Sequence, residues 1–336
     1  MKKKASLDFY RLLASFFVVA IHTSPFYSIN PAFDFFFSRI LSRVAVPLFL
    51  MITGYFAIPK ALKDKAYLKK YLIKTLKLYL LCIIIYIPLN IYKNDFQRFD
   101  IIELLKALFI DGTIYHLWYF PALLLGLPLT YYLIKKNNSK INLVIFFLLY
   151  LIGLLGDSYF GIVEKSACLQ SIYNFIFSIS SYTRNGLFYV PIFLFLGYIA
   201  KIRNTPFSKN NIYFFLISLL LLVIEGFSLN NLNFIRHDSM YIMLIPVMFF
   251  LFECIKNSSN ISNIKIRNIA TSIYISHPYF IVIERLIAKL FCLENIMIEN
   301  SIIHYILVII LTLIFSISIE KIKVVIKNGR FCRKFS

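Results

Sequence analysis

Between Leu7 and Thr23 the chain reads LDFYRLLASFFVVAIHT, an apolar run of helical length that nevertheless carries Asp8, Arg11 and His22. A helix that crosses a bilayer needs about 20 mostly apolar residues, and a charge at its centre costs roughly 2.5–3.5 kcal/mol on insertion scales. Arg11 and His22 stand eleven residues apart, which at about 100° per residue leaves them nearly eclipsed on one face and about 16 Å apart along the axis. Asp8 precedes Arg11 by three residues, near enough to pair with it at the inner mouth of such a helix. Histidine has the side chain whose unperturbed pKa lies nearest neutrality, so His22 suits proton transfer. Arg11, oriented by Asp8, suits holding an anionic group or the shape of a pore. The plainer reading lets Arg11 snorkel to the nearer interface and sets His22 at the far one. Ionisable residues within a span point first to a function that faces the bundle interior.

The elements that would position these groups are helices. The chain has 336 residues, 60% of them hydrophobic and 18% aromatic, with a mean hydropathy of +0.75. That balance excludes a soluble domain and implies an all-α polytopic membrane protein, read as a single membrane domain over 1–336. About ten spans are expected, near 7–24, 35–58, 75–92, 117–134, 141–156, 186–200, 212–228, 240–255, 269–290 and 302–319. Lys2 to Lys4 before an apolar run resemble the start of a signal peptide, but no small-x-small cleavage site follows. An uncleaved first span is expected.

A formal charge of +20 raises the question of nucleic acid, yet the placement of the cations matters more than their number. They fall in alternate connections: the segment from Lys60 to Lys77, the loop with Lys135, Lys136 and Lys140, then Lys201, Arg203, Lys209, Lys256, Lys265, Arg267 and the tail from Lys321 to Lys334. The opposite connections hold most of the acids, among them Asp34, Asp95, Asp100, Glu103, Asp111, Asp157, Glu164, Asp238, Glu294 and Glu299. The positive-inside rule then puts both termini in the cytoplasm, in the inner membrane of a bacterium, and leaves nucleic acid without support. Two outer connections are long enough for structure of their own: Asp100 and Glu103 form a capping-box pattern ahead of a short interfacial helix, and a half-buried helix is expected around Ser171 to Ser181. Cys82, Cys168, Cys254, Cys292 and Cys332 show no CxxC pairing, so neither a metal site nor a disulfide framework is supported. Walker, GxGxxG and GxSxG motifs are absent from the sequence, which removes support for nucleotide hydrolysis and serine-hydrolase chemistry.

Further polar residues lie in or beside the later spans. His116 and Trp118 open HLWYFPALL, Arg184 and Asn185 open RNGLFYVPIFLFLGY, and Glu225 sits near the end of the seventh span. Tyr274, His277 and Pro278 fall within IYISHP, where proline removes a backbone donor and can kink the helix beside His277. Each of these alone is better explained by packing or anchoring than by ligand binding. A carboxylate such as Glu225 near an apolar run is costly unless protonated or paired.

Taken in order, these blocks resemble the bacterial membrane-bound acyltransferase-3 family over roughly residues 7–320. The hallmark of that family is an arginine and a histidine separated by ten residues, matched by Arg11 and His22. VPLFLMITGYF (46–56) is similar to its second-span block, with Thr53 where serine is commoner. The resemblance implies transfer of an acyl group, usually acetyl, from cytoplasmic acyl-CoA to a hydroxyl of an envelope glycan outside. Acetyl-CoA would be a substrate rather than a bound cofactor. His22 would be the base, Arg11 and Asp8 its partners, and His116, Trp118, Arg184, Asn185, Glu225, Tyr274 and His277 the substrate-binding set. Where the family often carries an arginine pair at the start of the third span, this chain has Lys70, Lys74 and Lys77; lysine meets a phosphate as a point charge without the bidentate fork. The HLWYFPALL, TRNG and HDSMYIMLIP stretches are also similar to the membrane half of serine racemases from glycopeptide-resistance clusters, which implies uptake of a small amino acid instead.

Overall fold

The structure is a computed structural model that describes residues 6–92, 100–256 and 264–332; Lys2 to Lys4, Asp95 and Lys334 lie outside the described residues. In chain order its helices are α1 (Ser6–Thr23), α2 (Pro31–Asp34), α3 (Ala45–Lys63), α4 (Lys65–Tyr92), α5 (Ile101–Lys106), α6 (Tyr119–Lys136), α7 (Ser139–Leu155) and α8 (Phe160–Val163). They continue with α9 (Ala167–Ile179), α10 (Val190–Arg203), α11 (Lys209–Asn231), α12 (Leu244–Ile255), α13 (Ile264–Leu290), α14 (Glu294–Met297) and α15 (Ser301–Cys332). Each expected apolar stretch folds as a helix. Among the described residues, four helical stretches are long and apolar enough to cross a membrane, namely Pro31–Lys63, Lys65–Tyr92, Lys209–Asn231 and Ser301–Lys323. Shorter apolar helices cover Ser139–Leu155, Ala167–Ile179 and Leu244–Ile255.

The basic segment from Lys60 to Lys77 is helical almost throughout, rather than a connecting loop. Lysine is a good helix former, so α3 continues to Lys63 and α4 starts at Lys65, with Asp64 as the single break. The Asp64 carboxylate accepts the Ala66 N–H at 2.9 Å and so opens the new helix. Asp100 caps α5 as its spacing suggests, accepting the Glu103 N–H at 2.8 Å, while the Glu103 carboxylate takes the Lys106 ammonium at 2.6 Å. The expected helix near Ser171 is α9, capped by Ser166.

The chain forms two compact units, one of 1–46 with 255–336 and the other of 47–254. In the first, α1, α13 and α15 pack on one another through Val19, Ile273, Ile281 and Val308, flanked by Leu12, Phe16, Ile269, Tyr305, Ile309 and Leu313. Leu12, Phe16 and Val19 recur at four- and three-residue steps and form one stripe of α1. Arg11, Ser15, Val18 and His22 form a neighbouring stripe by the same spacing, rotated by roughly 100° from the first. Packing of the first stripe thus fixes where the second must lie. α13 stays helical through Pro278.

In the second unit α3 and α10 cross at glycines that face each other's backbone. A Cβ on Gly54 would sit 2.0 Å from the Leu194 carbonyl oxygen, and one on Gly197 would sit 2.0 Å from that of Met51. Helices in an apolar medium gain attraction by close backbone approach, for which small residues are needed. Gly54→Ala and Gly197→Ala should therefore each cost about 1–3 kcal/mol, the scale of overpacking a tight interior. Thermal unfolding of detergent-solubilised protein checks this, with Gly112→Ala excluded as a control because its φ of +82° strains any side chain.

Candidate active site

In the first unit, the Asp8 carboxylate accepts the Arg11 guanidinium at 2.9 Å. Asp8 is buried and Arg11 half-buried, so the pair lies inside the packed face of α1 rather than in open solvent. Ser15, fully buried, donates its hydroxyl to the Leu12 carbonyl at 2.7 Å. His22, in the last turn of α1, stacks on His277 of α13 with ring centroids 5.3 Å apart and planes 19° from parallel. His277 is wholly buried. Its Nδ1 lies 2.9 Å from the Tyr274 carbonyl and 3.2 Å from that of Ile273. Carbonyls only accept, so the Nδ1 carries the proton and the ring is fixed against its own helix. Tyr274 is buried one turn before it.

α1 and α13 thus carry five of the sequence-predicted residues: His22, His277 and Tyr274 together, with Arg11 and Asp8 further back along the same face of α1. One pair escaped the sequence reading. Glu284 of α13 and His304 of α15 form a buried contact, Glu284 Oε2 to His304 Nδ1 at 2.7 Å. The two lie twenty residues apart on different helices, so no motif spacing announces them; an acid inside the ninth span was the available signal.

The loop after α1 is held by side chains. Ser24 ends the helix in the left-handed region at φ 47°. The buried Asp34 carboxylate accepts the Phe26 N–H and the Ser38 hydroxyl, both at 3.0 Å. Ser28 accepts the Ser301 N–H at 3.1 Å, and Ser301 donates its hydroxyl to the Pro25 carbonyl at 2.9 Å.

The second unit holds the remaining predicted residues, and it uses several of them as fasteners. Glu225 accepts the Tyr159 hydroxyl at 2.8 Å and the N–H groups of Ile242 at 2.6 Å and Met243 at 2.8 Å, so its cost in an apolar helix is met by three donors. Asn185 accepts the N–H groups of Leu187 and Phe188 at 3.0 and 3.1 Å ahead of α10. The Arg184 guanidinium lies 4.4 Å from the Tyr182 ring centre and 5.4 Å from that of Trp118, and donates to the Ser239 hydroxyl at 3.0 Å. Trp118 is mostly buried and meets Tyr189 edge to face. His116 is buried beside Tyr86, with ring centroids 5.0 Å apart. Lys70, Lys74 and Lys77 stand exposed on α4, at steps of four and three that align them on one face.

The arrangement is that of an all-helical, multi-pass membrane protein with paired ionisable groups inside its apolar helices. The chain belongs to the acyltransferase-3 family, whose acyltransferase domain matches residues 4–321. Two proteins named amino-acid racemase from Enterococcus faecalis are each 36% identical to it, covering 94% of this chain and 45% and 46% of their own length. A serine/alanine racemase from Enterococcus gallinarum is 35% identical over 93% of this chain and 45% of its own. The chain therefore spans about half the length of the curated relatives it matches. No solved structure matches it significantly.

Asp157, in the link between α7 and α8, is fully buried and accepts the N–H groups of Ser239 at 2.7 Å and Met240 at 2.9 Å on Oδ1. Its Oδ2 has no hydrogen-bond partner among the described residues. Burial raises its pKa from 3.8 to about 7, against the opposing pull of the Met240 N–H, Arg184 and the Ser239 N–H. A folded-state pKa above the unfolded one means that the folded protein keeps a proton the unfolded chain has lost. Stability should then fall as pH rises from about 4 to about 7 and stay low above that range. Asp157→Asn keeps the Oδ1 acceptor without the charge. Its melting temperature should flatten with pH and exceed wild type at pH 8 by about 2–4 °C, the effect of ~1 kcal/mol in a domain of this size.

Proposed function

We propose that this chain is an integral-membrane O-acyltransferase that moves an acyl group, acetyl in the simplest case, from cytoplasmic acyl-CoA to a hydroxyl of an extracytoplasmic envelope glycan. The observation that carries the reading is the polar stripe of α1, with Asp8 bonded to Arg11 at one end and His22 stacked on His277 at the other, in a chain that belongs to an acyltransferase family. On this reading about ten helices cross the inner membrane of a bacterium, both termini are cytoplasmic, and the outer ends of α1 and α13 face the acceptor.

A thioester is already activated, so the chain has to supply a base, stabilisation of the oxyanion and a grip on the donor. His22 accepts the proton of the acceptor hydroxyl as its oxygen bonds to the thioester carbonyl carbon. The tetrahedral intermediate collapses, the carbon–sulfur bond breaks, and the CoA thiolate takes up the proton from the imidazolium. The ester stays on the glycan and free CoA leaves. Arg11, held by Asp8, orients the donor, and Lys70, Lys74 and Lys77 attract its phosphates as exposed point charges that salt screens.

The relatives named as amino-acid and serine/alanine racemases favour a second reading, in which the helices carry a small amino acid such as serine and the paired residues line its path. The two readings part on one set of assays. Purified wild type should transfer acetyl from acetyl-CoA, and His22→Ala should lose about 10² to 10⁴ in rate, as removal of a general base typically does. Arg11→Lys keeps the charge without the fork and should also be impaired. Near wild-type turnover by His22→Ala removes its catalytic assignment. Uptake of serine into proteoliposomes without CoA, and no acetyl transfer, favours the carrier.

A further inference from the structure

The first unit contains a cavity of about 570 Å³ at the end of α1, within the size range of small-molecule sites. Thr23 and Ser24, the residues directly after His22, form part of its wall, and Ser28, Ser301 and His304 form another part. Arg285 and Glu299 bring one cation and one carboxylate to the rim, both exposed. The wall therefore combines several hydroxyls with apolar surface, to which Tyr27 and Ile298 contribute, and carries little net charge. It is also built, since Ser301 and the loop at Ser28 hold each other through reciprocal hydrogen bonds of 3.0 and 3.1 Å.

Within that wall His304 is 3% exposed and is held at Nδ1 by Glu284, itself wholly buried. Neither His304 Nε2 nor Glu284 Oε1 has a hydrogen-bond partner among the described residues. A buried polar atom without a partner is expensive, and it marks a place where a ligand or water completes the site. A carboxylate on Nδ1 fixes the ring and its tautomer, leaving Nε2 to meet a hydroxyl.

We propose that this cavity receives a hydroxyl-bearing sugar unit of the acceptor, and that His304, positioned by Glu284, hydrogen-bonds one hydroxyl of that unit while a neighbouring hydroxyl reaches His22. The inference rests on the acyl-transfer reading above and adds the acceptor site to it. The sugar supplies the hydroxyls for which the serines and threonine are suited, and Arg285 and Glu299 accommodate polar substituents on it. Glu284 acts through His304 and is a positioning residue.

The test uses the full chain, in cells and purified. Ester-linked acetyl on envelope glycans of producing cells is measured by mass spectrometry, and CoA release from acetyl-CoA by the purified protein. The quantity compared is acetyl delivered to glycan per CoA released. His304→Asn and Ser28→Trp, the second a filler on an exposed loop, should each lower that ratio by about tenfold or more, the effect of losing one well-formed contact. Ser178→Trp, exposed on α9, should leave it unchanged. A wild type that gives neither glycan acetyl nor CoA release overturns the acyl-transfer reading and the pocket with it. Wild-type transfer together with unchanged ratios in both pocket variants overturns the pocket alone.

Discussion

An ionisable side chain inside an apolar helix is tolerated when the fold builds a partner beside it, and this chain repeats that solution in both of its units. Asp8 takes the Arg11 guanidinium, Glu284 takes His304, and Glu225 takes a hydroxyl and two backbone N–H groups. Asp8 finds its partner on the same helix, Glu284 on a helix packed against its own, and Glu225 in the links that lead into α8 and α12, which keeps helices with charged residues compatible with an apolar surrounding. Breaking one partner would leave the other buried and uncompensated.

The pairs differ in what they leave open. Glu225 has its oxygens occupied and fixes the start of α12 through Ile242 and Met243. Glu284 and His304 each keep one buried atom without a bond among the described residues, and His304 lines a cavity with several hydroxyls in its wall. That contrast separates structural fastening from a site with spare capacity. The apolar contacts of Val19, Ile273, Ile281 and Val308 set the rotation of α1 and hence the direction of its polar stripe. Function on this account depends on packing that takes no part in chemistry.

Much of this was legible in the sequence, because apolar runs and helical spacing are local signals. The runs locate the helices, and the three-residue step from Asp8 to Arg11 foretells their ion pair. The Asp100 cap and α9 are likewise local. The helical course of 60–77 was not, since charge clustering suggests a loop while lysine propensity favours a helix, and propensity prevailed. Glu284 with His304, and Asp157 with the N–H groups of Ser239 and Met240, join residues far apart in the chain. Such pairs depend on which helices pack together, and no single-sequence period encodes that. His22 with His277 became a pair for the same reason, although each residue had been singled out by itself.

Trp118, Arg184 and Asn185 take part in an aromatic and hydrogen-bonded cluster that anchors the start of α10, a role their positions near helix ends foreshadow. On the proposed function the chain makes an ester on an envelope polymer. Mass spectrometry of those polymers from otherwise identical cells with and without the chain tests it most directly. An ester-linked acyl group should be present on the polymers from cells with the chain and lost from those without it. Identical polymer spectra from the two strains, with serine uptake dependent on the chain, would contradict it.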